Sequence, residues 1–302
     1  MSIYLPIAEM SVNGLLIILI SGAIGFFSGM VGVGGGFIMT PALIFMGVPP
    51  PVAVATQASQ ITASSLSGVI AHARRRAVDL RMGLLITIGG VAGSTFGVWV
   101  FAWMKALGQL DLLISLFYVL FLGVIGALML WESVAALRRR ASGAAATRRR
   151  RKRGWAHRLP MRLRFPQSGL YMSALPPIGI GVVTGVLAAI MGVGGGFIAV
   201  PAMIYILRMP TNVVIGTSLF SIIIIAALVT VLQAAQTRTV DLVLAALLIV
   251  GGVIGAQLGA RVGARLKAEE LRVILAGVVL ATALRLLWDL VARPTEIFVL
   301  AS

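Results

Sequence analysis

Gly32-Val33-Gly34-Gly35-Gly36-Phe37-Ile38-Met39-Thr40-Pro41 and Gly192-Val193-Gly194-Gly195-Gly196-Phe197-Ile198-Ala199-Val200-Pro201 carry one phrase, Gly-Val-Gly-Gly-Gly-Phe-Ile-x-x-Pro-Ala, twice in a chain of 302 residues. Each copy interrupts an apolar run. Adjacent glycines remove side-chain bulk and tolerate φ > 0, so a helix entering from either side loses its preference to continue, and backbone can meet backbone or ligand there. Inside a bilayer such a break leaves N–H and C=O groups that only protein, water or a bound solute can satisfy. Two breaks at matched positions point to a transport site.

The bilayer itself follows from composition. Hydrophobic residues make up 59% of the chain and charged residues 11%, far from the roughly 25% charge of soluble domains. Apolar runs of about 20 residues, enough to cross a hydrocarbon core of about 30 Å, recur along the sequence. The chain has no cysteine and two histidines, which excludes a disulfide framework, a thiolate metal site and a histidine-based metal centre; no cofactor is expected. The formal charge of +16 does not call for nucleic acid, because 12 of the 25 Lys and Arg residues lie between Arg138 and Arg164, beside a membrane span. The positive-inside bias accounts for that cluster.

Outward from the first phrase, Met1 to Val12 has Glu9 and no Lys or Arg, so no cleaved secretory signal is expected. Asn13 to Val31 is apolar, and Phe37 to Gly47 reaches only about halfway across as a helix before Pro49-Pro50-Pro51 stops it. That pattern reads as a re-entrant hairpin. Three spans follow: Val52 to Ala73, Leu80 to Met104 and Leu110 to Leu137, closed by Arg74-Arg75-Arg76, Lys105 and Arg138-Arg139-Arg140. Asp79 just before the second span and Asp111 at the start of the third lie at the expected water boundary and are read as caps of first helical turns. Residues 138–166, with Arg148 to Arg153, read as a basic cytoplasmic linker resting on anionic head groups of membrane lipids.

Beyond the linker the first half is replayed. Gly32 maps to Gly192, Thr56 to Thr217, Asp79 to Asp241, and Gly93 and Gly97 to Gly255 and Gly259, at offsets drifting only from 160 to 162. The chain is therefore a duplication: residues 1–137 form a first transmembrane repeat and 167–302 a second. With hairpins, each half has three spans and the repeats are inverted; with single crossings, four spans and parallel repeats. Hairpins place 21 of 25 Lys and Arg residues on the cytoplasmic side, leaving Lys105, Arg238, Arg285 and Arg293 outside, against a best split of 19 to 6 for single crossings. Charge thus favours an all-α polytopic membrane protein of two inverted halves.

In that arrangement the glycine tips meet near the midplane and aim helix N-termini at an anion. The expected lining is Gly34, Gly35, Gly36, Phe37, Thr56, Gln57 and Gln60 from the first half, with Gly194, Gly195, Gly196, Phe197, Thr217 and Ser218 from the second. Gln57 and Gln60 share a helix face, and amides are costly to expose to lipid. Gly93/Gly97 and Gly255/Gly259 are small-xxx-small pairs for close helix packing. Trp99, Trp103, Trp131 and Trp288 sit near span ends as interfacial anchors, and Arg285 and Asp289 are spaced to pair. Within the spans no buried carboxylate with a matched twin is expected, so no proton carrier is named.

The doubled Gly-x-Gly-Gly-Gly-x-x-x-x-Pro phrase, Ala55-Thr56 and Gly216-Thr217-Ser218, and the Gly89 to Gly93 and Gly251 to Gly255 stretches resemble the sulfite exporter TauE/SafE family over residues 14 to 290. The resemblance implies a bacterial inner-membrane permease that moves sulfite, sulfoacetate or a similar small sulfur-containing anion, usually outward. Where the family has Thr-Ser, this chain has Thr56-Gln57. Enzyme motifs are missing: the sixth position of the Gly phrase is Phe37, which departs from the dinucleotide fingerprint, and no Gly-Lys-Ser/Thr or His-Glu-x-x-His occurs. A passive channel for small solutes or cations, with carbonyls lining the breaks, is the alternative. A homodimer is among the assemblies the sequence allows.

Overall fold

The computed structural model of the chain describes residues 2–31, 35–73, 77–108, 110–141, 161–263, 277 and 279–288. The basic run from Arg148 to Arg153 and the Asp289 end of the expected Arg285 pair lie outside them.

Each half opens with a feature the apolar pattern hid. Strands β1 (Ser2–Leu5) and β2 (Met10–Asn13) pair antiparallel, and β3 (Arg162–Phe165) and β4 (Leu170–Ser173) do the same at an offset of 160 residues. Both hairpins turn over four residues starting at a proline, Pro6 or Pro166, and ending with positive φ, 52° at Glu9 and 61° at Gly169. Strands of four residues show no clear alternation, so the sequence reading passed over them.

The helices follow the expected boundaries closely. In the first half α1 (Gly14–Val31), α2 (Gly36–Phe45), α3 (Pro50–Ala73), α4 (Leu80–Ala106) and α5 (Leu110–Ala141) succeed one another. In the second come α6 (Leu175–Met191), α7 (Gly196–Tyr205), α8 (Thr211–Gln236), α9 (Leu242–Gly263) and α10 (Val279–Trp288). Among the described residues α4, α8 and α9 are long and apolar enough to cross a membrane by themselves. Helix α3 has the length, 24 residues, but buried Thr56, Gln57, Gln60, Ser64 and Ser65 lower its hydropathy.

Helices α1 and α2 go in and come back. The open end of α1 follows β2, and Leu43 near the end of α2 packs with Leu5 and Val12 of the first hairpin and with Val48 and Val52. The second half repeats this, with Phe165 and Met172 clustered with Met203 and Leu207. The glycine phrases form the inner ends of these two helical hairpins.

Packing is largely between halves. Helix α1 runs parallel to α9: a Cβ built on Gly29 would sit 2.2 Å from the Ala256 carbonyl oxygen, and one on Gly255 2.0 Å from that of Gly22. Helices α6 and α4 repeat the contact, with Gly93 at 2.1 Å from the Val182 oxygen and Gly181 at 2.1 Å from that of Ile86. Backbone therefore lies on backbone along both seams, in a way no larger residue permits. The glycine pairs read from sequence make these seams, each to a helix of the opposite half. Helices α3 and α8 cross at the centre antiparallel. Ala77, beyond the end of α3, lies against Gly216 near the start of α8, while Thr56 near the start of α3 is bonded to Asp241 beyond the end of α8.

The polarity of the molecule is inside out. Leu19, Leu84, Ile88, Phe96, Leu120, Leu128, Ile254 and Leu284 are exposed, as are Trp99, Trp103, Trp131 and Trp288. Ser21, Thr56, Gln57, Asp79, Thr217 and Asp241 are fully buried. An apolar belt of that extent is stable only against hydrocarbon, so this is an all-α polytopic membrane protein.

Candidate functional site

The breaks are built by left-handed glycines. Gly35 caps α2 at φ 74° and Gly195 caps α7 at φ 72°, and neither helix has a side-chain cap. A residue with a Cβ is strained in that conformation. The Gly35 carbonyl accepts from the N–H groups of Ile38 and Met39, and the Gly195 carbonyl from those of Ile198 and Ala199. The N–H groups of Gly36, Phe37, Gly196 and Phe197 come before those first helical bonds and point out of their helix ends with the positive pole of the dipole. Interior prolines, Pro41 and Pro201, remove the bonds that the Phe37 and Phe197 carbonyls would accept.

The two breaks meet. A Cβ on Gly36 would lie 2.6 Å from the Gly192 carbonyl oxygen and 2.5 Å from Ile61 Cδ1, and one on Gly194 would lie 2.7 Å from Ile61 Cγ2. The rings of Phe37 and Phe197 stack at 6.0 Å between centroids and 23° between planes. Ile61 of α3 packs with Ile222 and Ala226 of α8 between the breaks. The second break is also tethered by the buried Tyr118, whose hydroxyl donates to the Met191 carbonyl.

Of the residues expected to line the site, Gly36, Phe37, Gly194 and Phe197 come together here, Gly35 and Gly195 face Ser28 and Thr184 of the helix before each break, Gly196 begins α7, and Gly34 lies outside the described residues. Val54 and Ile61 of α3 touch the second break, at Gly192 and Gly194. Gln57 is three residues after the first and four before the second, on the same face. Its Nε2 donates to Gln60 Oε1 at 2.5 Å, and its own Oε1 is buried without a partner among the described residues. Ser218, the counterpart of Gln57, turns its hydroxyl back onto the Ile215 carbonyl at 2.8 Å.

Thr56 and Thr217 have another task. The Thr56 hydroxyl accepts the Asp241 N–H at 3.0 Å, and the Thr217 hydroxyl accepts the Asp79 N–H at 2.9 Å. Each aspartate then binds the β-hairpin of the opposite half. Asp79 Oδ2 accepts from the Ser168 N–H at 3.0 Å and the Ser168 hydroxyl at 2.6 Å, while Oδ1 caps α4 through Met82 N. Asp241 Oδ2 accepts from Ile7 N at 2.9 Å, and Oδ1 caps α9 through the N–H groups of Val243 and Leu244.

These two carboxylates correct the sequence reading. Asp79 is an N-cap as expected, but its carboxylate is buried under a hairpin, and it has a buried twin in Asp241. The duplicated Val78-Asp79 and Val240-Asp241 turns carried the signal. What hid their burial was the unrecognised hairpin that covers each one.

A model of the family described as "Sulfite exporter TauE/SafE" matches residues 17–286. A probable membrane transporter protein of Xylella fastidiosa (strain 9a5c) is 30% identical over 288 residues, covering 92% of this chain and 97% of its own. The probable membrane transporter protein YjnA of Bacillus subtilis is 26% identical over 274 residues, covering 90% and 98%. No solved structure matches the chain. With the doubled glycine breaks at the centre of the fold and a family match across nearly its whole length, this chain belongs to the sulfite exporter TauE/SafE family of membrane transporters.

Proposed function

We propose that the protein is a secondary transporter of the bacterial inner membrane that exports a small anion, sulfite or an organosulfonate, by alternating access at the paired glycine breaks. The observation that carries this reading is the meeting of two helix N-termini without side-chain caps, at Gly36-Phe37 and Gly196-Phe197, in the middle of the fold. Backbone N–H groups and two positive helix ends suit an anion without the cost of an intramembrane cation. The family's name supplies sulfite as the first solute to try.

Inverted repeats fit the antiparallel crossing of α3 on α8. The contacts also sort the charges into two ends. Arg81 donates to the Arg164 carbonyl beside Asp79 and β3–β4, whereas Lys105 donates to the Thr237 carbonyl, close to Asp241. Arg285, stacked 4.8 Å over Phe45 at the open end of α2, belongs to that second end. This is the partition that three spans per half require. Alternating access then means breaking the Asp79 and Asp241 latches one at a time, since each ties a helix start in one half to a hairpin in the other.

Uptake of labelled sulfite into proteoliposomes tests the proposal. Saturable uptake that is lost in Gly195→Val, with the variant still eluting as a folded particle, supports it. Flux that stays linear with concentration would select a channel, and no flux of sulfite or organosulfonates would leave a membrane scaffold.

A further inference from the structure

The two halves contribute unequally to the central site, and this inference rests on the anion-transport reading above. Val54, Gln57, Ile61 and Ser65 fall on one face of α3 at helical spacing, and of these Val54 touches the second glycine break and Ile61 touches both. Gln57 Oε1 and Ser65 Oγ, one turn to either side of Ile61, are both buried and without a hydrogen-bond partner among the described residues. A buried polar atom left unpaired destabilises the fold unless something else pairs with it. On α8 the equivalent positions are quiet: the Ser218 hydroxyl is bonded to Ile215, and the counterpart of Ser65 is Ala226. The glycine breaks present the same N–H groups from both sides, so they cannot tell one end of a solute from the other. The Gln57 face can.

We infer that Gln57, with Ser65 beside it, is the specificity-determining element of the site, and that it selects small organic anions bearing a hydroxyl next to the acidic group. The acidic oxygens sit on the N–H groups of the two breaks, and the substituent hydroxyl pairs with Gln57. A hydroxyl both donates and accepts, so it satisfies the unpaired position whichever way the Gln57–Gln60 amides are turned. An unsubstituted anion of the same size leaves that position empty.

The matched pair 2-hydroxyethanesulfonate and ethanesulfonate isolates the one hydroxyl. In proteoliposomes the wild-type protein is expected to transport the hydroxylated compound about tenfold more efficiently, the size of effect one buried polar pairing supports. Gln57→Met, which keeps length without hydrogen-bonding capacity, should bring the two compounds within about twofold of each other. Elution of Gln57→Met as a folded particle in detergent reports that it folds, the ratio of the two fluxes rather than either flux alone is the readout, and Ser65→Ala should narrow that ratio by a smaller factor. Equal transport of the pair by the wild-type protein would overturn the inference while leaving anion transport intact, as would a preference unchanged in Gln57→Met. If neither sulfonate nor sulfite moves, the transport reading itself fails, and this inference with it.

Discussion

The first and second halves share a chassis and differ in chemistry. Both have a β-hairpin, a helical hairpin with a glycine apex, a central helix, and a helix capped by a buried aspartate. The shared parts are those where substitution is sterically forbidden: left-handed glycines at the apices and glycines facing carbonyls along the two interhelical seams. Among the differences are side chains on the central helices and at the buried aspartates. Gln57 and Gln60 stand opposite Ser218 and Ser221, and Ser168 opposite Ala8. The duplicated parts are thus the backbone-packing ones, and on the proposed reading the divergent side chains are where direction and choice of cargo would be set.

The largest effect should come from filling a seam. Gly255→Val and Gly93→Val each drive a side chain into a carbonyl oxygen about 2 Å from its first carbon, and a loss of about 3 kcal/mol or more is expected in either half. Size-exclusion profiles in detergent should show both variants aggregated. Gly123→Val, at a position with open space around it, should elute as wild type. If one seam tolerated valine and the other did not, the two seams would not be equivalent.

Next come the latches, where the halves differ. Asp79 holds both the N–H and the hydroxyl of Ser168, whereas among the described residues Asp241 holds the Ile7 N–H alone from its hairpin. A hydrogen bond to a carboxylate contributes about 1.5–3 kcal/mol. Ser168→Ala should therefore raise the opening of the Asp79 end by at least about tenfold and leave the Asp241 end unchanged. The chain has no cysteine, so the labelling rate of a single introduced cysteine behind each hairpin reads this directly. Ala8→Ser should work in the opposite sense, by tightening the Asp241 end. Equal labelling at both ends in Ser168→Ala would show that the extra hydroxyl does not set the balance.

How much of this was legible in the sequence varies with the physics behind each element. The helical hairpins, the duplication and the glycine seams were readable because glycine, proline and apolar length leave direct marks. Boundaries such as Leu80 for α4 and Leu110 for α5 came out as read. The β-hairpins were not readable, since four-residue strands such as Arg162–Phe165 end in ordinary turns and sit beside a basic stretch that draws the eye. Missing them meant missing the burial of Asp79 and Asp241. At the site, Gln57 was found from its cost in lipid, but the engagement of Thr56 with Asp241 is a contact 185 residues long in sequence and leaves no local trace.

The smallest effect concerns the rim. Arg285 lies over the Phe45 ring at 4.8 Å, a contact that contributes about 0.5–1 kcal/mol at an exposed position. Phe45→Leu should lower the unfolding midpoint slightly without changing flux. A marked change in flux would mean that this end of α2 moves in transport, and would separate the first helical hairpin from its twin.

The central proposal is that the two glycine apices hold the solute together. A structure determined with sulfite bound tests that most directly: solute density is expected between the stacked rings' backbones, with oxygens about 2.7–3.1 Å from the nitrogens of Phe37 and Phe197. Density confined to one half, or lodged at a surface away from both breaks in a protein that still transports, would contradict it.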